Sequence, residues 1–328
     1  MGKHERKLIQ EAELILIKFL NNDYINDQER QNPWFHHSRL ISKCIKKDFR
    51  NLKNIGHLGN KYDKVGDIFI SDGVDKYYIE LKMSKNPSGF GTKANISQDA
   101  LTDLGLFEKN TKSWSMFRSE YNHDEKIINI LDQYRNYPCR IKENQALKNR
   151  NKIKECKARY LRDKANNGDK NAHMILNEVH DFDKSIKIKY LNYLSCQQQN
   201  YELIKKFYIL IMLGIHKIKI MKALMEKNDL LNNIGNLIIY YACGEYPNIE
   251  VLKENVIEKV RINLGNFATF RINFIPNVTY CQLVGTLNNK ITPLLNIVLH
   301  WKNVSQGIKT PCLNIFDLTH NYLYSDRQ

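Results

Sequence analysis

Residues 65–106 read VGDIFISDGVDKYYIELKMSKNPSGFGTKANISQDALTDLGL, and this stretch decides the fold. Asp67-Ile68-Phe69-Ile70-Ser71 is a short apolar run, Asp72-Gly73 is a turn signal, and Tyr77 to Met83 alternates polar with apolar residues. Two such runs joined by a short glycine-containing loop predict a β-hairpin. Residues two apart in a strand share a face, so Ile79, Leu81 and Met83 point one way and Tyr78, Glu80 and Lys82 the other. The hairpin brings Asp67 on the first strand close to Glu80 on the second. Two carboxylates and an ammonium group then converge at one end of a small sheet. That set suits a divalent cation on oxygen ligands, with a lysine beside the attacking water. The plainer alternative is a surface hairpin with an ordinary Glu–Lys pair on its solvated face. A D-x(n)-E-x-K spacing arises by chance in many chains; here it comes with a strand–turn–strand context and a glycine-rich loop leading into a polar helix.

At these residues the chain resembles the PD-(D/E)xK nuclease superfamily, and within it the type II restriction endonucleases. The matching residues are Gly66-Asp67, then Glu80-Leu81-Lys82, then Gly91-Thr92-Lys93-Ala94-Asn95-Ile96-Ser97-Gln98. Val65-Gly66 stands where the motif's name has proline. The likeness covers roughly residues 5–110. It implies an α/β/α-type restriction-endonuclease-like core around a central mixed sheet; with the helical insertion and β-rich C-terminal part that the sequence pattern gives beyond it, the expected fold class is α+β. It implies that Asp67, Glu80 and the backbone carbonyl of Leu81 hold Mg²⁺, and that Lys82 assists formation of the attacking hydroxide or steadies the transition state. It further implies cleavage of double-stranded DNA at a short specific sequence. A homodimer would place one active site on each strand. A cognate DNA methyltransferase is then a genetic rather than a physical partner.

Composition agrees with a polyanion-binding globular protein. The 328 residues carry a formal net charge of +15, with 42% hydrophobic and 26% charged residues. Such a field attracts nucleic acid. The longest apolar run, Phe207 to Ile215, is half the length of about 18 residues that a membrane-spanning helix needs. The N-terminal residues lack the apolar core of a signal peptide, and Arg6 stands where a myristoylation string has Ser or Thr. The 7 cysteines are scattered, with no C-x-x-C pair, so reduced thiols in a cytoplasmic protein are expected rather than a zinc site or a disulfide framework.

Upstream, residues 4–21 have helical periodicity, with Leu8, Ala12, Ile15 and Phe19 on one stripe. The neighbouring stripe, Ile9, Glu13, Leu16 and Leu20, puts Glu13 at the edge of the apolar face. Glu13, or Glu11, is the candidate third carboxylate by the resemblance; a half-exposed helical glutamate is the bland alternative. Asn32 to Arg39 reads as a loop with two aromatics and two histidines, suited to DNA contact or packing. A second helix is expected over 40–52, then a glycine-punctuated loop over 56–63 in which Asp63 is the reserve for Asp67.

Beyond Lys82, Pro87 and the glycines up to Gly91 predict an irregular loop, and Asn95 or Thr92 is expected to cap a helix starting near Ile96. Gln98 then falls in its first turn, where exposed N–H groups favour a phosphate. It is a candidate phosphate or water contact, or a plain surface residue. Lys93 and Asn95 are DNA-contact candidates. Residues 140–164 hold ten Lys or Arg against three acids with no Pro or Gly, predicting a basic helix whose Arg150 and Lys154 contact phosphates. Residues 172–232 read as aliphatic helices broken near Gly214. The texture turns β-rich near Asn236; in the run 268–275, Thr269, Arg271 and Asn273 share one face, with Arg271 the candidate DNA contact. Three segments follow: 1–140 as catalytic core, 141–235 as a basic helical region serving DNA contact and possible dimerisation, and 236–328 as a β-rich region. No competing cluster emerges elsewhere, since His300-Trp301-Lys302 lacks a downstream Asp at phospholipase-D-type spacing.

Overall fold

The structure, a computed structural model, describes residues 3–59, 64–85, 92–108, 112–133, 150–254, 256–300 and 312–318. The hairpin forms as the sequence predicts. β2 (Ile68–Ser71) pairs antiparallel with β3 (Lys76–Ser84), with Ile68 opposite Ile79. Asp72 makes the turn by accepting the N–H groups of Val74 and Asp75 on its Oδ1, at 2.9 and 2.8 Å, and Gly73 takes the positive φ of +100°.

β1 (Asn54–His57) flanks β2 antiparallel. The sequence predicts a glycine-punctuated loop from Gly56, but the ladder requires a strand here. Gly56 is matched to Phe69, whose ring fills the space a Cβ would take: Phe69 Cε1 lies 2.2 Å from that position. On the other side of β3 runs β5 (Asn236–Cys243), parallel to it, with Glu80 opposite Ile239 and Lys82 opposite Tyr241. β6 (Glu250–Glu254) completes a mixed sheet of order β1-β2-β3-β5-β6. β5 is buried from Ile239 to Cys243 on both faces, as a strand covered by helices must be.

Helix α1 (Lys3–Asn21) and helix α3 (Phe35–Asp48), with the short α2 (Asp27–Arg30) between them, cover one face. There Leu16, Leu20, Ile41 and Ile45 meet Ile68, Ile70, Ile79, Leu81, Tyr240 and Ala242. The other face, with Ile239, Tyr241 and Cys243, packs on the helix Tyr201–Met212 and its neighbours. The expected alternation in β3 is therefore realised: Ile79 and Leu81 face α1 and α3, and Glu80 and Lys82 face the opposite way.

The region expected to cap a helix at Asn95 or Thr92 is instead a strand, β4 (Thr92–Ser97), and α4 (Gln98–Asp103) starts only after it, with Ser97 as N-cap. The cause is long-range pairing, Leu313 to Ile96 and Asn314 to Asn95. β4 is an edge of a second, antiparallel sheet of order β4-β10-β9-β8-β7, made with β7 (Thr269–Phe274), β8 (Tyr280–Leu287), β9 (Lys290–His300) and β10 (Cys312–Asp317). Each sheet thus takes strands from both the first and the last of the three sequence segments. The fold is α+β, with helices and two sheets around the cores just described.

Between β4 and β5 lies the helical insertion: Trp114–Glu120, His123–Asp132, Arg150–Asn166, Lys170–Ser195, Tyr201–Met212, Ile218–Met225 and Leu230–Ile234. The basic helix is present from Arg150 to Asn166, seated by Ala158 and Leu161, with Arg159, Arg162 and Lys164 exposed. Inside the insertion, buried Asp183 accepts His123 Nε2 at 2.9 Å and Lys187 Nζ at 2.6 Å. At the outer edge of β7, Gln199 acts as a strand partner: its Nε2 donates to Ile272 O at 2.9 Å and its Oε1 accepts Ile272 N–H at 2.8 Å. Among the described residues no helix is long and apolar enough to cross a membrane.

Candidate active site

The β2–β3 ladder stops at Ile68–Ile79, and one further bond, Asp67 N–H to Ile79 O at 2.8 Å, closes it. From Glu80 to Ser84, β3 runs past the start of β2, so its edge on that side opens into a cavity of about 420 Å³. Glu13, Asp67, Glu80, Leu81, Lys82, Tyr241 and Cys243 are among its lining residues. Because the edge is open, side chains from both faces of the sheet reach the same space.

Asp67 is fixed from every side. Its carbonyl accepts the N–H groups of Leu58 at 2.8 Å and Gly59 at 3.1 Å, and its Oδ2 accepts Leu81 N–H at 2.8 Å. Gly66 has φ +78°, and a Cβ there would stand 3.0 Å from Ile79 O. Close backbone approach with a positive φ calls for glycine at this position, which explains the Gly-Asp pair where proline was the reference. Glu80, 8% exposed, accepts Lys82 Nζ on Oε1 at 2.6 Å.

Glu13 joins them, and it is buried rather than half-exposed at the edge of α1: its residue exposure is 6%. Its Oε2 lies 2.7 Å from His57 Nε2. The alternative Glu11 points elsewhere, pairing with Lys7 at 3.6 Å on the outside of α1. Asp63 lies outside the described residues.

Three carboxylates in one enclosed space repel each other. Burial, and then the charge of Glu80, push the Glu13 carboxyl up to about 7, against an opposing pull from Lys217. Burial first, then Glu80 and Glu13, hold Asp67 well above the usual carboxylate range, with Lys82 and the Leu81 N–H opposing. Burial works against the Lys82 ammonium, but Glu80 and Asp67 outweigh it and raise its pKa.

Comparison with family models, curated proteins and solved structures finds no match.

Several residues of this site lacked any motif in the sequence. Gly214, at φ +75°, ends the helix Tyr201–Met212 against the site: a Cβ there would sit 3.3 Å from Glu80 Cγ and 3.6 Å from Lys82 Cε. His216 Nδ1 donates to Gly214 O at 2.9 Å, and burial, then Lys82, lower its pKa. Lys217 Nζ donates to Gly59 O at 3.4 Å. His57 and Tyr241 complete the set. The only sequence signal for this turn was the glycine that interrupts the aliphatic helices.

Other sequence candidates are not brought into this group. Asn95 is an exposed residue of β4, paired in register with Asn314. Arg271 sits on β7, half-buried, with its Nε buried and without a hydrogen-bond partner. Lys93 lies on β4, Gln98 opens α4, and Arg150 and Lys154 lie on the basic helix; the side chains of these four fall outside the described residues. His36 and His37 pack rather than pair: His36 stacks on Tyr246 with centroids 3.9 Å apart, and His37 Nε2 lies 3.0 Å from Gly244 O.

Do these residues fit Mg²⁺? Among the described residues, no three side chains of His, Cys, Asp or Glu stand in ready-made ligand geometry. Each carboxylate instead engages a protein partner through one oxygen: Asp67 the Leu81 N–H, Glu80 the Lys82 ammonium, Glu13 the His57 ring. Among the described residues nothing bonds the second oxygen of each, which would be left for a cation. The donor set is all oxygen, which suits a hard cation, and two carboxyls are pushed up by burial first and then by neighbouring negative charge, which a cation would neutralise. The set fits.

Proposed function

We propose that this chain is a type II restriction endonuclease, a Mg²⁺-dependent site-specific deoxyribonuclease acting on double-stranded DNA. The observation that carries the reading is the convergence of Asp67, Glu80 and Lys82 at the open edge of β3, with Glu13 arriving from α1. Asp67, Glu80 and Glu13, with the carbonyl of Leu81, would hold Mg²⁺, which lowers the pKa of a water and offsets charge developing on the phosphate.

The chain's own residues do the rest. Lys82, kept protonated by Glu80 and Asp67, supplies a fixed positive charge beside the phosphate that is attacked. The Leu81 N–H orients Asp67, and the walls formed by Tyr241, Cys243 and Met83 limit water around the cluster. The exposed arginines and lysine of the helix Arg150–Asn166 offer phosphate contacts that position the duplex, and Arg271 on β7 is a further contact. A homodimer puts one such site on each strand of a symmetric sequence, and a methyltransferase encoded elsewhere protects the host's own copies of it. The setting is the cytoplasm.

The test is to incubate the protein with plasmid and Mg²⁺, with and without EDTA. Discrete fragments that vanish with EDTA support the proposal. A smear, or cutting confined to branched DNA, points to a repair or recombination nuclease, and binding without cutting to a non-catalytic DNA-binding protein. In the same assay Lys82→Ala loses at least about 100-fold in cleavage rate while DNA binding is largely kept. Full activity in that variant sinks the site assignment.

A further inference from the structure

His57 links Glu13 on α1 to the strand that runs beside Asp67. It stands on β1 in register with Ile68, the residue after Asp67, and its Nε2 reaches Glu13 Oε2 on α1. Ile55, two residues earlier, packs into the α1–α3 side of the sheet, so His57 faces α1 as well. The ring is walled in. Gly59 has φ +57°, and a Cβ there would stand 3.0 Å from His57 Cε1, while the Gly59 N–H bonds to Asp67 O. One tight loop therefore fixes both the Asp67 backbone and the His57 ring. The His57 side chain is 25% exposed and that of Glu13 8%, so the contact is largely shielded from water.

We infer that His57 is a positioning residue of the cation site, holding Glu13 by one oxygen so that the other points into the space between Asp67 and Glu80. The inference rests on the metal-dependent reading above. A glutamate on a helix has three rotatable side-chain bonds, and in a cavity of about 420 Å³ it has room to turn away. A largely shielded hydrogen bond to a carboxylate removes that freedom before the cation arrives. Partners of this kind are worth about 10–100-fold in metal affinity.

The probe is Mn²⁺, whose binding to the full chain without DNA is read by EPR. His57→Gln keeps an N–H donor near the Nε2 position; His57→Asn keeps a polar side chain but falls short of Glu13. The expected result is a weakening of about 10–100-fold in His57→Asn and near-normal affinity in His57→Gln. Glu13→Gln supplies a second line should His57→Asn fold poorly: once Glu13 cannot act as a charged ligand, changing His57 to Gln or Asn should alter Mn²⁺ affinity no further. Wild-type affinity in His57→Asn, or an equal loss in His57→Gln, overturns the inference and leaves the nuclease reading standing. A ¹⁴N coupling from His57 in the wild-type pulsed-EPR spectrum also overturns it, since the ring would then be a ligand. Failure of the wild type itself to bind Mn²⁺ removes the metal-dependent reading and this inference with it.

Discussion

Gly214→Ala separates backbone strain from damage to the site. Gly214 sits at φ +75°, where an L-residue costs roughly 1–2 kcal/mol. Stiffening the unfolded chain returns about 0.4–1 kcal/mol, leaving a net loss of about 1 kcal/mol. At about 2.1 cal/mol/K per residue over 328 residues, that is a fall of roughly 1.5 °C in Tm. The new methyl would also stand 3.3 Å from Glu80 Cγ, 3.5 Å from Ile239 Cδ1 and 3.6 Å from Lys82 Cε. Ile239 lies inside the core and cannot retreat. Glu80 gives way by a few tenths of an ångström, pulling Oε1 from its 2.6 Å contact with Lys82. Misplacing a reacting group this far costs about tenfold in rate, or about 1.4 kcal/mol. Gly168→Ala is the matched control: φ is +89°, and nothing lies within 4 Å of the added carbon. Both variants are measured by thermal unfolding and by single-turnover plasmid cleavage. The expected outcome is a similar loss of Tm in both and a loss of rate in Gly214→Ala alone. Equal cleavage by the two variants refutes the placement of Gly214 against Glu80.

Two further outcomes follow from buried charge. Glu13 has a folded pKa of about 7 against an ordinary 4.5, so the folded state binds the extra proton. The stabilisation is full below the unfolded value and is lost as pH rises towards 7, a change of about 3 kcal/mol. Without divalent cations the Tm should therefore fall between about pH 5 and pH 7.5, with Asp67 acting in the same direction. Glu13→Gln should flatten the profile and Mg²⁺ should offset the fall; a Tm that rises over this range contradicts the carboxylate cluster. In the helical insertion, Asp183→Leu removes the buried carboxylate that His123 and Lys187 share and should cost about 3–5 kcal/mol in urea unfolding. A loss below about 1 kcal/mol would show that the network is not closed as described.

How much of this was legible in the sequence depends on the range of each interaction. The β2–β3 hairpin was readable because Asp72-Gly73 and the alternation from Tyr77 to Met83 are local signals. The stripe Ile9-Glu13-Leu16-Leu20 placed Glu13 next to the sheet, but not inside it, since its burial depends on His57 and the loop at Gly59. β1 was missed because its four residues owe their conformation to Phe69 filling the place of a side chain at Gly56. Thr92–Ser97 looked like the end of a loop and the capped start of a helix; only pairing with β10, more than two hundred residues later, makes it a strand. β5 was recognisable as a strand, but nothing local in an aliphatic run says that it lies parallel to β3.

Those long-range pairings change what the helical insertion is for. Its turn at 213–217 presses Gly214 on Glu80 and Lys82 and sends Lys217 to Gly59 O, whose residue also holds Asp67 through its N–H. Lys217 opposes the upward shift at Glu13, as Lys82 does at Asp67. Two ammonium groups thus stand against three carboxylates, one from the hairpin and one from the insertion. The remaining negative charge is what a bound cation would neutralise, and two lysines prevent that charge from driving the cavity apart beforehand. A chain that only needed a DNA-binding arm between β4 and β5 has no cause to return this turn to the carboxylates. The insertion packs against Glu80 and Lys82 and is part of the site's charge balance.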